Sequence, residues 1–166
     1  IRDDVIYVAQ GSTGLAVIDS SDLDNPQLLD TIHFGTSQEG LPDPFSKALA
    51  ANGDTLAVGA DGTIAVFDIS VPTMPVTTAR LPAAACRDVD LFSHQVNGEE
   101  KLMLYAADDI GGLRVIEIPS DGEDPVERGL LNLPDSTSAV GIMINPSGDY
   151  AFVVAFDTFY TVKLGY

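Results

Sequence analysis

The sequence predicts an all-β chain made of four-stranded antiparallel units, and three observations lead there. Short apolar runs rich in Val, Ile, Leu, Phe and Tyr alternate with Gly, Asp and Asn breaks along the whole chain, the pattern of strands joined by tight turns. The runs repeat: Leu15-Ala16-Val17-Ile18-Asp19, Ile64-Ala65-Val66-Phe67-Asp68 and Leu113-Arg114-Val115-Ile116-Glu117 stand 49 residues apart. A proline follows each acid, at Pro26, Pro75 and Pro125. Its fixed φ and missing N–H turn the chain out of a sheet.

The elements follow in order. The first unit gives strands at Tyr7–Ala9, Leu15–Asp19 and Gln27–Ile32, with a hairpin signal over Gln10-Gly11-Ser12-Thr13-Gly14. The second gives Ala48–Ala51, Leu56–Val58, Ile64–Asp68 and Val76–Leu81 around the turn Ala60-Asp61-Gly62. The third gives Val89–Phe92, Leu104–Ala106, Leu113–Glu117 and Val126–Leu131 around Asp108–Gly112. A weaker fourth copy gives Val140–Ile144, Ala151–Ala155 and Phe159–Lys163 around Phe156-Asp157-Thr158, with Lys163 in place of the acid. Only Pro44–Ala51 also carries helix signals, a Pro near its start and Asn52-Gly53 as a stop. The repeat makes it an inner strand instead. Repeat alignment sets Tyr7-Val8-Ala9 against Leu56-Ala57-Val58 and Leu104-Tyr105-Ala106.

Four strands at a period of 46 to 49 residues mark a β-propeller blade. Residues 33–81 and 82–131 each supply a blade, while 1–32 and 132–166 each supply an incomplete one. About three and a half blades are present, in fourteen strands. A ring needs whole blades. The expectation is therefore a partial β-propeller, 1–166, belonging to a larger ring whose remainder comes from the same chain or another.

Composition narrows the partners. Eight Lys+Arg stand against 25 Asp+Glu, a formal net charge of −17. That disfavours nucleic acid, which needs a basic footprint, and docking on an anionic membrane. No apolar run approaches the length of a membrane span. The single cysteine, Cys86, excludes an internal disulfide and a cysteine-based zinc site. Set after Ala83-Ala84-Ala85, it reads as a small buried hydrophobe. The chain opens on Ile1-Arg2-Asp3-Asp4 without an initiator Met, as expected of a processed or excised piece.

The run Gly14-Leu15-Ala16-Val17-Ile18-Asp19-Ser20-Ser21-Asp22-Leu23-Asp24-Asn25-Pro26 resembles the LVIVD repeat, whose pattern is Gly-Leu-x-Ile-Ile-Asp-Val-Ser-Asp-Pro-x-x-Pro. Ile64-Ala65-Val66-Phe67-Asp68-Ile69-Ser70-Val71-Pro72 is a second match. Leu113-Arg114-Val115-Ile116-Glu117-Ile118-Pro119 is a third, with Glu for Asp. The resemblance implies a β-propeller and an extracytoplasmic setting. It is nearly silent on activity, since propellers host many chemistries.

Several groups are candidates for chemistry. Asp19, Asp68 and Glu117 form either a ring of carboxylates or a set of strand-end caps. Their distance from the inner strands favours caps. Asp61, Asp108, Asp109 and Asp157 lie in the loops between second and third strands. Those loops emerge on the face where propeller ligands dock, so these four are the candidate Ca2+ set. The alternative is that Asp and Gly are turn formers there. Arg87 with Asp88 or Asp90 reads as an anion clamp or as an ion pair locking adjacent blades. Of the two histidines, His94 belongs to this group and His33 ends an outer strand. The long connection before Phe45, with Leu41 in it, projects from the same face as a candidate partner contact. No Gly-x-Ser-x-Gly, His-Glu-x-x-His, Walker A or dinucleotide motif is present.

Two functions remain. The first is a non-enzymatic, secreted binding or interaction scaffold whose partner is a protein or surface ligand, placed extracellularly, in the periplasm or at the cell surface. The second is a calcium-dependent propeller hydrolase, a phytase-like phosphoesterase, using the top-face carboxylates.

Overall fold

A computed structural model describes residues 2–34, 44–134 and 137–165. It contains fourteen strands and, among the described residues, no α-helix. In chain order they are β1 Val5–Ala9, β2 Leu15–Asp19, β3 Gln27–Ile32, β4 Ser46–Asn52, β5 Thr55–Ala60, β6 Thr63–Asp68 and β7 Val76–Pro82. There follow β8 Asp88–Val96, β9 Glu99–Ala107, β10 Leu113–Ile118, β11 Val126–Leu131, β12 Ala139–Ile144, β13 Tyr150–Ala155 and β14 Phe159–Lys163. The segment with helix signals is β4: period-2 packing on its neighbours outweighs the local propensity.

The strands make four antiparallel meanders. Sheet 1 is β1-β2-β3, sheet 2 is β4-β5-β6-β7, sheet 3 is β8-β9-β10-β11 and sheet 4 is β12-β13-β14. Bulges interrupt the pairing of each third strand with its outer neighbour at equivalent places: Val17/Ile18, Val66/Phe67 and Val115/Ile116. A bulge adds local twist, and here it recurs with the repeat.

The register corrects the alignment at one point. Tyr7 pairs with Val17, Ala57 with Val66 and Tyr105 with Val115. Tyr7 is therefore the counterpart of Ala57, not of Leu56. The loop between the second and third strands is longer in sheet 1 (Gln10–Gly14) than in sheet 2 (Asp61–Gly62), so a gapless alignment slips by one.

Three apolar seams hold the sheets face to face. Val5, Tyr7, Leu15 and Val17 of sheet 1 pack with Leu56, Val58, Ala65 and Phe67 of sheet 2. Ala57 and Ile64 of sheet 2 pack with Val89, Leu91, Leu104, Ala106 and Ile116 of sheet 3. Met103, Tyr105 and Leu113 of sheet 3 pack with Ile142, Ile144, Ala151 and Val153 of sheet 4. Alternation along each strand sends odd and even residues to opposite seams. Val17 and Val66 are buried, while Val115 is half-buried.

The two outer faces lack a neighbour among the described residues. On sheet 1 they present Ile6, Val8 and Ile18, with Val8 exposed and the isoleucines half-buried. On sheet 4 they present Met143, Val154 and Phe159, all exposed, beside Phe152, whose ring stacks on Phe159 at 5.7 Å.

Candidate functional site

The repeated acids are turn caps in two of three units. Asp19 Oδ1 accepts the Ser21 N–H and Asp68 Oδ1 accepts the Ser70 N–H, each at 2.8 Å. Those backbone bonds hold both carboxyls below the usual carboxylate range. The third departs. Glu117 is paired with Arg128 at 2.6 Å and Lys101 at 3.0 Å, and the two cations lower its pKa. A longer side chain reaches past the turn to cations on β11 and β9.

The candidate Ca2+ residues are spread over separate contacts. Asp61 is half-buried and paired with Lys47. Asp108 is buried at 3% exposure. Its Oδ1 accepts the N–H groups of Ala84 and Ala85 at 2.8 and 3.0 Å. Its Oδ2 meets Arg114 at 3.3 Å, and Arg114 also donates to Pro82 O and Glu127. Asp109 accepts from Arg87 Nε at 2.9 Å. Bonds from Ser138 and Arg87 depress its pKa. Asp157 is exposed, bonded to Thr158. Among the described residues, no three His, Cys, Asp or Glu side chains come together as a metal set.

Arg87 is thus turned toward Asp109, away from Asp88 and Asp90. Those two carboxylates lie on one face of β8 and reach across to sheet 4. Asp88 Oδ2 accepts the Ile142 N–H at 2.9 Å, and Asp90 Oδ2 the Ile144 N–H at 2.8 Å. Burial raises the Asp88 pKa, against the opposing effect of its backbone hydrogen bonds. The sequence points to these residues, but not to their role. The Asp-x-Asp spacing on a strand was the available signal, because it puts both side chains on one face.

The loops between second and third strands also bond to the start of the next sheet. Ser46 N–H donates to Gly11 O, Cys86 N–H to Ala60 O and Ala139 N–H to Asp109 O. This edge, which the sequence marks as the partner face, carries a row of inter-sheet ties. Exposed apolar side chains stand on it: Phe45, Ile110 and Phe156, at 54%, 71% and 77% exposure. Leu41 lies outside the described residues. His33 is exposed just past β3.

Two buried groups were only partly legible. His94, on β8 beyond the end the sequence suggested, is buried, and its Nε2 lies 2.7 Å from Tyr105 Oη. Burial lowers its pKa. Cys86 is fully buried, and burial first, then Asp108, pushes its thiol up to about 12.

The opposite edge carries the acidic turns. Asp54, Asp68, Glu123 and Glu100 line shallow clefts between sheets 2 and 3.

No curated protein matches this sequence. Its fold is similar to the crystal structure of a protein from Lactobacillus plantarum, with TM-score 0.73 and 14% identity over 98% of this chain and 51% of that one. It is also similar to a chain in the structure of S. cerevisiae Dbp5 bound to Nup159, Gle1, IP6 and ADP. There the TM-score is 0.55 and the identity 12%, over 98% of this chain and 43% of that one. Both likenesses are of fold, and the chain spans about half the length of these two structures. The family model of the LVIVD repeat matches residues 1–32, the stretch that holds β1 to β3.

Proposed function

We propose that this chain is a non-enzymatic β-propeller module within a larger ring, serving as an extracytoplasmic interaction scaffold. One observation carries the ring. Positions 18, 67 and 116 are repeat equivalents on the face that meets the preceding sheet. Phe67 and Ile116 are each 1% exposed, covered by that sheet, whereas Ile18 is half-buried and, among the described residues, no further sheet packs over it. Further blades from the same or another chain would cover sheet 1, and likewise Met143, Val154 and Phe159 of sheet 4. Exposed contiguous apolar faces are unfavourable on an isolated molecule.

The scaffold role is supported by what the polar groups do. Asp108, Asp109, Asp88 and Asp90 are engaged in ties within the molecule. Phe45, Ile110 and Phe156 protrude beside those ties, where a protein surface would meet them. The net charge of −17 suits solubility outside the cell.

Sedimentation tests the ring. Residues 1–166 alone should self-associate, and the mass of the native molecule should exceed 17.5 kDa. A monomer of that mass, melting sharply without a partner, overturns the ring. A large thermal shift with Ca2+ together with phosphate release from esters overturns the scaffold in favour of a hydrolase.

A further inference from the structure

Residues Arg2 to Val5 close a two-residue turn. The Arg2 N–H donates to Val5 O and the Val5 N–H to Arg2 O, both at 2.8 Å. Between them Asp3 and Asp4 hold φ of +45° and +63°. Two successive left-handed residues define a type I′ turn, the favoured link between antiparallel strands. Side chains other than glycine adopt such φ values rarely.

The same place in the next two sheets is occupied by a two-residue hairpin link, of the same two-left-handed-residue form in sheet 3 and with one left-handed residue in sheet 2. Asn52 pairs with Thr55 and joins β4 to β5, with Gly53 at φ +56°. Val96 pairs with Glu99 and joins β8 to β9, with Asn97 and Gly98 at +54° and +84°. A recurring hydrogen bond marks the equivalence independently. Ser20 N–H donates to Asp4 O at 2.7 Å, Ile69 N–H to Asp54 O at 2.8 Å and Leu164 N–H to Asp149 O at 2.8 Å. Arg2 therefore stands where Asn52 and Val96 stand, at the last residue of an inner strand. Its guanidinium is tied to Gly53 O and Asp54, in the matching turn of sheet 2.

The peptide groups of β1 alternate in direction. Those of Val5 face Arg2, away from β2, so those of Tyr7 and Ala9 face the same edge. Among the described residues no strand pairs there.

We propose that this inner edge of β1 is filled by an antiparallel strand continuous with Arg2 through the Asp3–Asp4 turn, and not by a strand from a partner or a second copy. The turn fixes the register: the residue two positions before Arg2 lies opposite Tyr7, and the one four positions before lies opposite Ala9. Side chains in register with Tyr7 share its face, toward Leu49 and the seam with sheet 2, so those positions take apolar residues. This rests on the reading of sheet 1 as a four-stranded blade. It is separable from the ring, since a blade completed by a partner's strand would keep the ring and overturn this connection.

The test compares three forms of the 166-residue chain by amide hydrogen exchange: unchanged, with a copy of Ser46–Ala50 placed ahead of Ile1, and with five Gly/Ser residues there. Amides of β5 and β9 serve as internal references. The strand copy should slow exchange at Tyr7 and Ala9 by about tenfold or more over the Gly/Ser form. Asp4→Pro in the strand-bearing form should abolish that protection, because proline cannot hold a positive φ. Equal exchange in the strand and Gly/Ser forms overturns the proposal. So does protection that survives Asp4→Pro, or concentration-dependent protection of Tyr7 and Ala9 in the unchanged chain.

Discussion

Asp88 on β8 accepts the backbone N–H of Ile142 on β12 at 2.9 Å, across the seam between sheets 3 and 4. Two residues on, Asp90 does the same for Ile144 at 2.8 Å. A strand in one sheet thus satisfies donors in the next with side chains, where no ladder bond is available. Hydrogen bonds to a charged acceptor contribute more than neutral ones. Each bond adds direction to an apolar seam that by itself resists sliding only weakly.

Removing the acceptor leaves a buried donor. Asp88→Ala should cost about 1–3 kcal/mol, and Asp88→Asn, which keeps an acceptor oxygen, less. The double Asp88→Ala/Asp90→Ala variant should weaken the seam further and expose β12 amides to exchange before those of β5. Denaturant melts and hydrogen exchange check this. Full stability in Asp88→Ala would show that the seam does not depend on the tie.

The pH response follows from His94. Its folded pKa lies below the ordinary value because it is buried, so the unfolded chain binds its proton more readily. Stability is then complete above the unfolded His value and falls as pH drops below it toward the folded pKa. The groups around it are Tyr105 on β9, Lys101 opposite it in the ladder, and Asp149 in the β12–β13 turn. Asp88 acts in the opposite sense. Its raised pKa lowers stability as pH rises from the ordinary Asp value through the folded one. Melting temperature should therefore fall more between pH 7.5 and pH 5.5 in the parent than in His94→Gln. Parallel curves for the two would remove His94 from the account.

How much of this was legible depends on the element. The strands were, because apolar runs of period 2 broken by Gly and Asp carry their own signal. β3 and β11 begin and end where the sequence sets them. The register of β1 was not, because loop length between strands leaves no trace in a gapless alignment. The site was legible only as a list of residues. Asp serves as turn former, N–H acceptor and ion-pair partner with one side chain. Which role Asp108 or Asp61 takes depends on the groups that the fold brings near it. Sequence proximity pairs Arg87 with Asp88 or Asp90, yet its partner, Asp109, lies 22 residues away.

The Asp108 carboxylate should be the costliest single polar loss. It satisfies two backbone donors in the link between sheets 2 and 3 and also faces Arg114. Asp108→Ala would take the acceptor from the N–H groups of Ala84, which is exposed, and Ala85, which is half-buried, and remove one partner of a guanidinium that is half-buried. Breaking such a set typically costs about 3–5 kcal/mol. Asp108→Asn retains the Oδ1 acceptor and should recover part of the loss. Urea melts of the two variants check the order, and equal loss in both would assign the role to charge rather than to the accepted N–H groups.

Gly59 and Cys86 give the last prediction, a test of how closely sheets 2 and 3 approach. A Cβ built on Gly59 would lie 2.7 Å from Cys86 Sγ and 3.3 Å from Val89 Cγ1. The first distance is well inside van der Waals contact, and the sulfur is fully buried with nowhere to retreat. Gly59 is not at a positive φ, so its backbone tolerates a side chain and the cost of Gly59→Ala is steric. It should be about 1–3 kcal/mol, the usual range for overpacking. Cys86→Ala alone removes one atom from a packed seam and should cost less, about 1 kcal/mol. Combined, the added methyl occupies the space the sulfur leaves, so the double variant should be more stable than Gly59→Ala alone. Coupling of that sign in a double-mutant cycle is the expected result. The same packing predicts that the Cys86 thiol, with its pKa pushed up to about 12, resists alkylation at pH 8 until the chain unfolds. Additive single-variant costs, together with fast labelling of the folded chain, would mean that the two sheets stand further apart at this point than the packing of Gly59 on Cys86 requires.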